Sequence, residues 1–178
     1  DQVSFNNLDQ MREAITDKTA AILIEPIQGE GGINNADIDY FKRLRNIADE
    51  ADILLFVDEV QTGIGRTGKL FAHEWSEIKP DILAVAKGLG GGFPVGACLA
   101  NEKTTKSMAP GTHGSTFGGN PLASAAANAV LDIVLDNDFL GEVQRKGVYL
   151  NNQLSLIAAK HKFLCEIRGQ GLLVGIVC

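Results

Sequence analysis

Ile53-Leu54-Leu55-Phe56-Val57-Asp58-Glu59 decides the fold class: an apolar run of buried-strand length passes directly into two carboxylates. The same pattern recurs on either side. Ala20-Ala21-Ile22-Leu23-Ile24 ends at Glu25-Pro26, and Ile82-Leu83-Ala84-Val85-Ala86 ends at Lys87. Between the first two runs, residues 36–51 place Ile38, Phe41, Leu44, Ile47 and Ala48 at helical spacing, with Lys42, Arg43, Arg45 and Asp49 on the wet face. Strand, helix, strand with short connections predicts an α/β fold built on a mostly parallel sheet with helices on both faces.

Upstream, a short helix is expected around Leu8 to Ile15. Downstream, Gly96-Ala97-Cys98-Leu99-Ala100 reads as one more strand returning after the turn at Gly90 to Pro94. Asn120 and Pro121 read as N-cap and first residue of a helix with Leu122, Ala125, Ala126, Ala129, Val130 and Ile133 on one face. Asp136-Asn137-Asp138 breaks it. A second helix, about Phe139 to Lys160, turns Leu140, Val143, Leu150, Leu154 and Ile157 inward. Phe163, Cys165 and Ile167 alternate as a half-buried strand, and Arg168-Gly169-Gln170-Gly171 turns the chain into a final strand. The expected division is a large domain over residues 1–138 and, over 139–178, a connector helix plus the start of a small α+β domain.

Composition narrows the classes. The 178 residues are 45% hydrophobic and 21% charged, and 16 Lys+Arg against 22 Asp+Glu leave a net charge of −6. Such a surface is poorly suited to neutralising phosphates, so nucleic acid is not the expected partner. Cys98, Cys165 and Cys178 are widely spaced without a zinc-type cluster, which fits a reducing compartment, the cytoplasm. His73, His113 and His161 lack metal-ligand spacing, so no metal is expected and they read as structural or surface residues. No apolar run reaches the roughly 18 residues of a membrane-spanning helix. The chain starts at Asp1 and stops within an apolar strand at Cys178, so a fragment cut at both ends is expected.

The strand ends carry the chemistry. In open α/β sheets, ligands bind outside the carboxyl ends of the strands, where Glu25, Asp58 and Lys87 gather opposite charges. Each of the three is equally a plain polar strand terminus when taken alone. Gly63-Ile64-Gly65-Arg66-Thr67-Gly68-Lys69-Leu70 satisfies a dinucleotide GxGxxG and comes within one residue of a P-loop. Leu70 stands where a P-loop needs Ser or Thr, and Asp58-Glu59-Val60-Gln61-Thr62 separates the strand from the first glycine. A better match is pyridoxal phosphate, which needs a Schiff-base lysine and an acid for its pyridinium nitrogen, roles that Lys87 and Asp58 fill. A partly dehydrated lysine has a lowered pKa and becomes a nucleophile. Gly114-Ser115-Thr116-Phe117-Gly118-Gly119-Asn120 offers hydroxyls and amides before a helix start, suited to a phosphate group or simply to capping that helix.

IEPIQGEGG (24–32), DEVQTGIGRTGKLFAHEW (58–75), PDILAVAKGLGGGFPVGACLA (80–100), GTHGSTFGGNPLA (111–123) and RGQGLLVGI (168–176) together resemble the class III, or ornithine-type, pyridoxal phosphate aminotransferases. FAHEW and THGSTFGGNPLA resemble most the branch that acts on acetylornithine. The resemblance implies the fold type I large domain. It implies that Lys87 is the Schiff-base lysine and proton shuttle, and that Asp58 pairs with the ring nitrogen. Glu59 and Val60 would stand with them at the cofactor, Val60 against a ring face. Gln61 would bond the ring-hydroxyl side, and Thr116 would reach the phosphate of the neighbouring subunit's cofactor in a homodimer. Ser115 would lie near the substrate, Glu30 would be the gating glutamate, and Glu25 would support the pocket from behind. The implied reaction moves the δ-amino group of N-acetylornithine to 2-oxoglutarate, giving glutamate, as a step of arginine synthesis.

The family's Gly-Thr phosphate turn, its ring-stacking aromatic residue and its substrate-carboxylate arginines are expected outside residues 1–178. Ile33-Asn34-Asn35-Ala36-Asp37 departs from relatives that carry a proline there, which is expected to affect only the start of the following helix. The alternatives are ornithine, succinylornithine or 4-aminobutyrate as amine donor. More remote are a nucleotide-binding protein using Gly63 to Lys69 and an inactive structural domain.

Overall fold

Ile22, Ile24, Leu55, Val57, Leu83 and Val85 alternate along three adjacent strands and turn the same way, which makes one face of the sheet the core. The computed structural model describes residues 1–136 and 138–178. Its strands are β1 (Ala21–Ile24), β2 (Ile27–Gln28), β3 (Asn34–Asn35), β4 (Leu54–Asp58), β5 (Ile82–Val85), β6 (Ala97–Ala100), β7 (Glu166–Gln170) and β8 (Leu173–Val177). The α-helices are α1 (Leu8–Ala14), α2 (Ile38–Glu50), α3 (Glu102–Thr105), α4 (Pro121–Val134) and α5 (Phe139–Ala158). Short 3-10 turns cover Ala72–Ser76 and Lys87–Gly90.

The main sheet has the order β1-β4-β5-β6, with β1, β4 and β5 parallel and β6 antiparallel. It is the mostly parallel α/β sheet expected from the sequence. Tyr40, Phe41, Leu44, Ile47 and Ala48 of α2 close over the core face, with Leu44, Ala48, Leu55 and Val57 fully buried. Each large aliphatic side chain so buried contributes about 1.5–3 kcal/mol. On the opposite face Leu23 is 65% exposed, and none of Leu23, Leu54, Phe56, Ile82 and Ala84 belongs to the buried core cluster. The strand end that carries Asp58 therefore opens onto the less covered side.

Asp81, just before β5, ties four elements together. Its Oδ2 accepts the Leu55 amide at 2.8 Å and the Arg45 guanidinium at 2.7 Å, and its Oδ1 accepts Asn101 Nδ2 at 2.7 Å. Burial raises its pKa. The Leu55 amide, the hydrogen bond and charge of Arg45, and Asn101 outweigh that effect and hold the carboxyl below the usual range.

Asn120 caps α4 as expected, its side chain accepting the Ala123 amide, with Pro121 in the first turn. The expected inward faces of the later helices need correction. In α4, Ala123 and Val134 are buried with Ala127, Val130 and Leu131 beside them, whereas Leu122 and Ile133 are 65% and 61% exposed. In α5, Val143 and Gly147 are buried, whereas Leu150 and Ile157 are exposed. Both helices carry more than one apolar stripe, so spacing alone did not select the packed one. Asn137, within the break between them, lies outside the described residues. β7 and β8 form a separate antiparallel pair, so the strand begins at Glu166 rather than near Phe163. No described helix is long and apolar enough to cross a membrane.

Candidate active site

The register that pairs Ile24 with Val57 and Asp58 with Ala84 brings Glu25, Asp58 and Lys87 to one edge of the sheet. Asp58 closes β4, and its Oδ1 accepts the Val60 amide at 2.9 Å, which turns the chain sharply after the strand. Lys87 opens a 3-10 turn with φ 42°, a left-handed conformation that costs a non-glycine residue about 1–3 kcal/mol. The turn is held by Leu89 N donating to Ala86 O at 2.9 Å and Gly91 N to Gly88 O at 3.2 Å. Ile64 is also left-handed, with φ 54°, and sits over Gly88 so that a Cβ there would come 3.5 Å from the Ile64 Cβ. Two strained residues thus meet across one glycine. They line a cavity of about 180 Å³ together with Gln61, Gly63, Arg66, Gly88 and Leu173.

Gln61 reaches outward from this cavity. Its Nε2 donates to Glu30 Oε1 at 3.0 Å, and its amide lies where a side chain on Gly29 would be. Glu30 stands at the tip of the β2–β3 hairpin, which is closed by Ile33 N donating to Gln28 O at 2.9 Å. Glu25 Oε2 accepts the Gly29 amide at 2.9 Å. The sequence-chosen residues Glu25, Glu30 and Gln61 are therefore linked through Gly29.

Glu59 is fully buried. Its Oε2 accepts Thr62 Oγ1 and Ala72 N, each at 2.7 Å, and its Oε1 accepts His73 N at 2.8 Å and His73 Nδ1 at 2.9 Å. A carboxylate accepts only, so His73 carries its proton on Nδ1. Glu59, placed with the cofactor contacts by the resemblance, thus spends its side chain on its own loop. His73, one of the histidines expected from the sequence to be structural or surface residues, is buried at this clamp with its ring stacked on Phe71, centroids 5.6 Å apart.

The loop with the nucleotide-like glycines has no phosphate cradle. Gly65 N, Arg66 N and Gly68 N donate to Leu70 O, Gly63 O and Gly65 O, and the loop leads into a short 3-10 turn rather than an α-helix. Ser115 and Thr116 lie in an exposed loop where Ser115 Oγ accepts the Gly118 amide at 2.8 Å; neither lines the cavity beside Lys87. Sequence reasoning missed the left-handed Ile64 and Lys87, the presence of Arg66 and Leu173 at the cavity, and the clamp made by Glu59. Only Glu59 left a trace, as an acid adjoining a strand end with Thr62 and His73 in the same loop.

Comparison with known proteins places this geometry in a family. The Aminotransferase class-III model matches residues 1–178. A protein of Mesorhizobium japonicum called acetylornithine aminotransferase is 56% identical over 100% of this chain and 45% of its own length. The acetylornithine aminotransferase of Elizabethkingia anophelis superposes with a TM-score of 0.92 at 39% identity, over 98% of this chain and 44% of that one. The ornithine aminotransferase of Toxoplasma gondii, whose active site is described as partially occupied by PLP, gives 0.93 at 39% identity over 98% and 42%. The chain spans less than half the length of these relatives. Its mixed α/β architecture with a mainly parallel sheet is that of fold type I transferases. On the whole-length family match and the 56% identity, the chain belongs to the class-III aminotransferases.

Proposed function

We propose that the protein containing this chain transfers the δ-amino group of N-acetylornithine to 2-oxoglutarate, with Lys87 and Asp58 as its catalytic residues. The observation that carries the reading is the pair itself, an acid and an amine on the ends of neighbouring parallel strands, with the amine on a strained backbone beside a cavity. Class III enzymes depend on pyridoxal phosphate, and the residues present fit it. Asp58 ends a strand on the less covered face, Lys87 forms no ion pair among the described residues, and Ile64 lies over Gly88 in the lysine turn.

When bound, pyridoxal phosphate supplies a ring that spreads the electron pair left after a C–H proton is removed. Asp58 would hold the ring nitrogen protonated, Val60 would pack against the ring, and Gln61 would bond its hydroxyl side. Lys87 would hold the group through Nζ and, once substrate has displaced it, that amine would be the base that takes the proton from the substrate carbon. Glu30, now hydrogen-bonded to Gln61, is the carboxylate that exchanges partners between amine and oxo-acid substrates, and Glu25 fixes the loop beneath it through Gly29. Ser115 contacts substrate, and Thr116 serves the cofactor of a second subunit in a homodimer. Residues 1–138 belong to the large domain and 139–178 begin the small one, in a cytoplasmic enzyme.

The test is made on the protein in its native reading frame. Pyridoxal phosphate is added, the adduct is reduced with borohydride, and the labelled peptide is mapped beside Lys87→Ala. Label on Lys87, absent in the variant, supports the reading; label elsewhere, or none, overturns it. Amine-donor screening then separates N-acetylornithine from ornithine, succinylornithine and 4-aminobutyrate.

A further inference from the structure

We infer that Glu59 is a positioning residue for Lys87, acting through the loop from Val60 to His73. The inference rests on the aminotransferase reading and replaces direct contact between Glu59 and the cofactor.

The loop leaves β4 at Asp58 and returns at Ala72, and Glu59 joins its two ends. Oε2 binds Thr62 near the departing end and the Ala72 amide at the returning end, while Oε1 takes both His73 donors. The backbone of Glu59 is fixed as well: its amide donates to Ala84 O on β5 at 2.9 Å, and its carbonyl accepts the Gly63 amide at 2.9 Å. Between the clamped ends lie Gln61 and the left-handed Ile64, which rests over Gly88 next to the left-handed Lys87. A strained backbone persists only where its surroundings over-determine it. For Ile64 that support runs through the neck of the loop to one carboxylate.

The clamp requires an acid. Each oxygen of Glu59 receives a backbone N–H, Ala72 N on one and His73 N on the other, and a backbone amide cannot become an acceptor. Glutamine has one acceptor oxygen, so either of its orientations sets an NH2 group against an N–H. Thr62 and His73 Nδ1 could adapt by hydroxyl rotation or a change of tautomer, but the two amides cannot.

The test uses the protein in its native reading frame, with Glu59→Gln, the milder Thr62→Val, and Asp81→Asn as a control that weakens the sheet away from the loop. For each, kcat and KM for the amine donor are measured. The pH profile of borohydride-trapped pyridoxal phosphate labelling at Lys87 is followed by peptide mapping, and folding is checked by circular dichroism. Glu59→Gln is expected to lower kcat about ten- to hundredfold while changing KM less than about threefold. It is also expected to displace the pH profile of labelling at Lys87 from the parent's. Thr62→Val shifts both in the same direction by less, and carries the test alone if Glu59→Gln does not fold. Asp81→Asn lowers thermal stability and leaves both readouts at the parent values. A folded Glu59→Gln or Thr62→Val with the parent's kcat and profile overturns the inference, as does an equal change in Asp81→Asn. Failure of the parent to label at Lys87 is a different result: it overturns the aminotransferase reading and this inference with it.

Discussion

Removing Asp81 tests how the sheet is held to its helix. The side chain is 13% exposed and gathers the Leu55 amide at 2.8 Å, Arg45 Nη1 at 2.7 Å and Asn101 Nδ2 at 2.7 Å. Asp81→Ala deletes all three contacts. It leaves Arg45, itself 15% exposed, with the carboxylate of Asp49, which is 65% exposed. Losing one partner of a mostly buried ion pair, together with the acceptor of a strand amide, is expected to cost about 2–4 kcal/mol, since Asp49 still pairs with Arg45. Asp81→Asn can keep its oxygen towards Leu55 and Arg45 but loses the charge and sets its NH2 against Asn101 Nδ2, a cost of about 1–3 kcal/mol. The pH dependence has a definite sign. The folded-state pKa is depressed, so the carboxylate's contribution is complete above the unfolded value of about 3.9 and is lost as pH falls through the lower folded value. The gap between parent and Asp81→Asn in urea unfolding is therefore constant near neutrality and narrows below about pH 4. An Asp81→Ala cost under about 1 kcal/mol, or an Asn gap that persists undiminished to about pH 3, refutes the reasoning.

Two further substitutions probe packing. Leu44→Ala, at a fully buried position in the α2 face over the sheet, is expected to cost about 2–5 kcal/mol by chemical denaturation. Gly147→Ala, within α5, should stabilise by about 1 kcal/mol if helix propensity ruled. Its Cβ would instead stand 2.6 Å from the Gly171 carbonyl oxygen, so a lower melting temperature is expected and a higher one counts against the close approach of α5 to the β7–β8 turn.

The strands and α2 were legible because each depends on few residues. Ile22 to Ile24, Leu55 to Val57 and Leu83 to Val85 are apolar runs stopped by a charge, and α2 has one apolar stripe against a charged face. Parallel strands end at one edge of the sheet, so Asp58 and Lys87 could be assigned to the same edge before any coordinates, although the register sets Asp58 opposite Ala84, three residues before Lys87. In α4 the same reasoning failed because the helix is rich in alanine: Leu122 and Ile133 look as inward as Val130 and Val134 until a neighbour chooses between them. The site divides along the same line. Charge type and strand-end position single out Asp58 and Lys87 as candidates, but the left-handed angles at Ile64 and Lys87 belong to the closed loop and have no signature in residue type.

Glu59 shows why the loop could not be read residue by residue. From sequence, Asp58 and Glu59 are adjacent acids at a strand end and invite similar roles. In the fold Asp58 shares the strand face of Leu54 and Phe56, on the less covered side, whereas Glu59 is fully buried among donors contributed up to fourteen positions later. Strand alternation alone turns neighbouring side chains to opposite faces. What fixes the second carboxylate is the return of Ala72 and His73, a tertiary event that leaves no local signal beyond the polarity of the returning segment. The two acids part in that geometry: Asp58 lies at the open edge, and Glu59 joins the two ends of the loop that carries Gln61 and the left-handed Ile64.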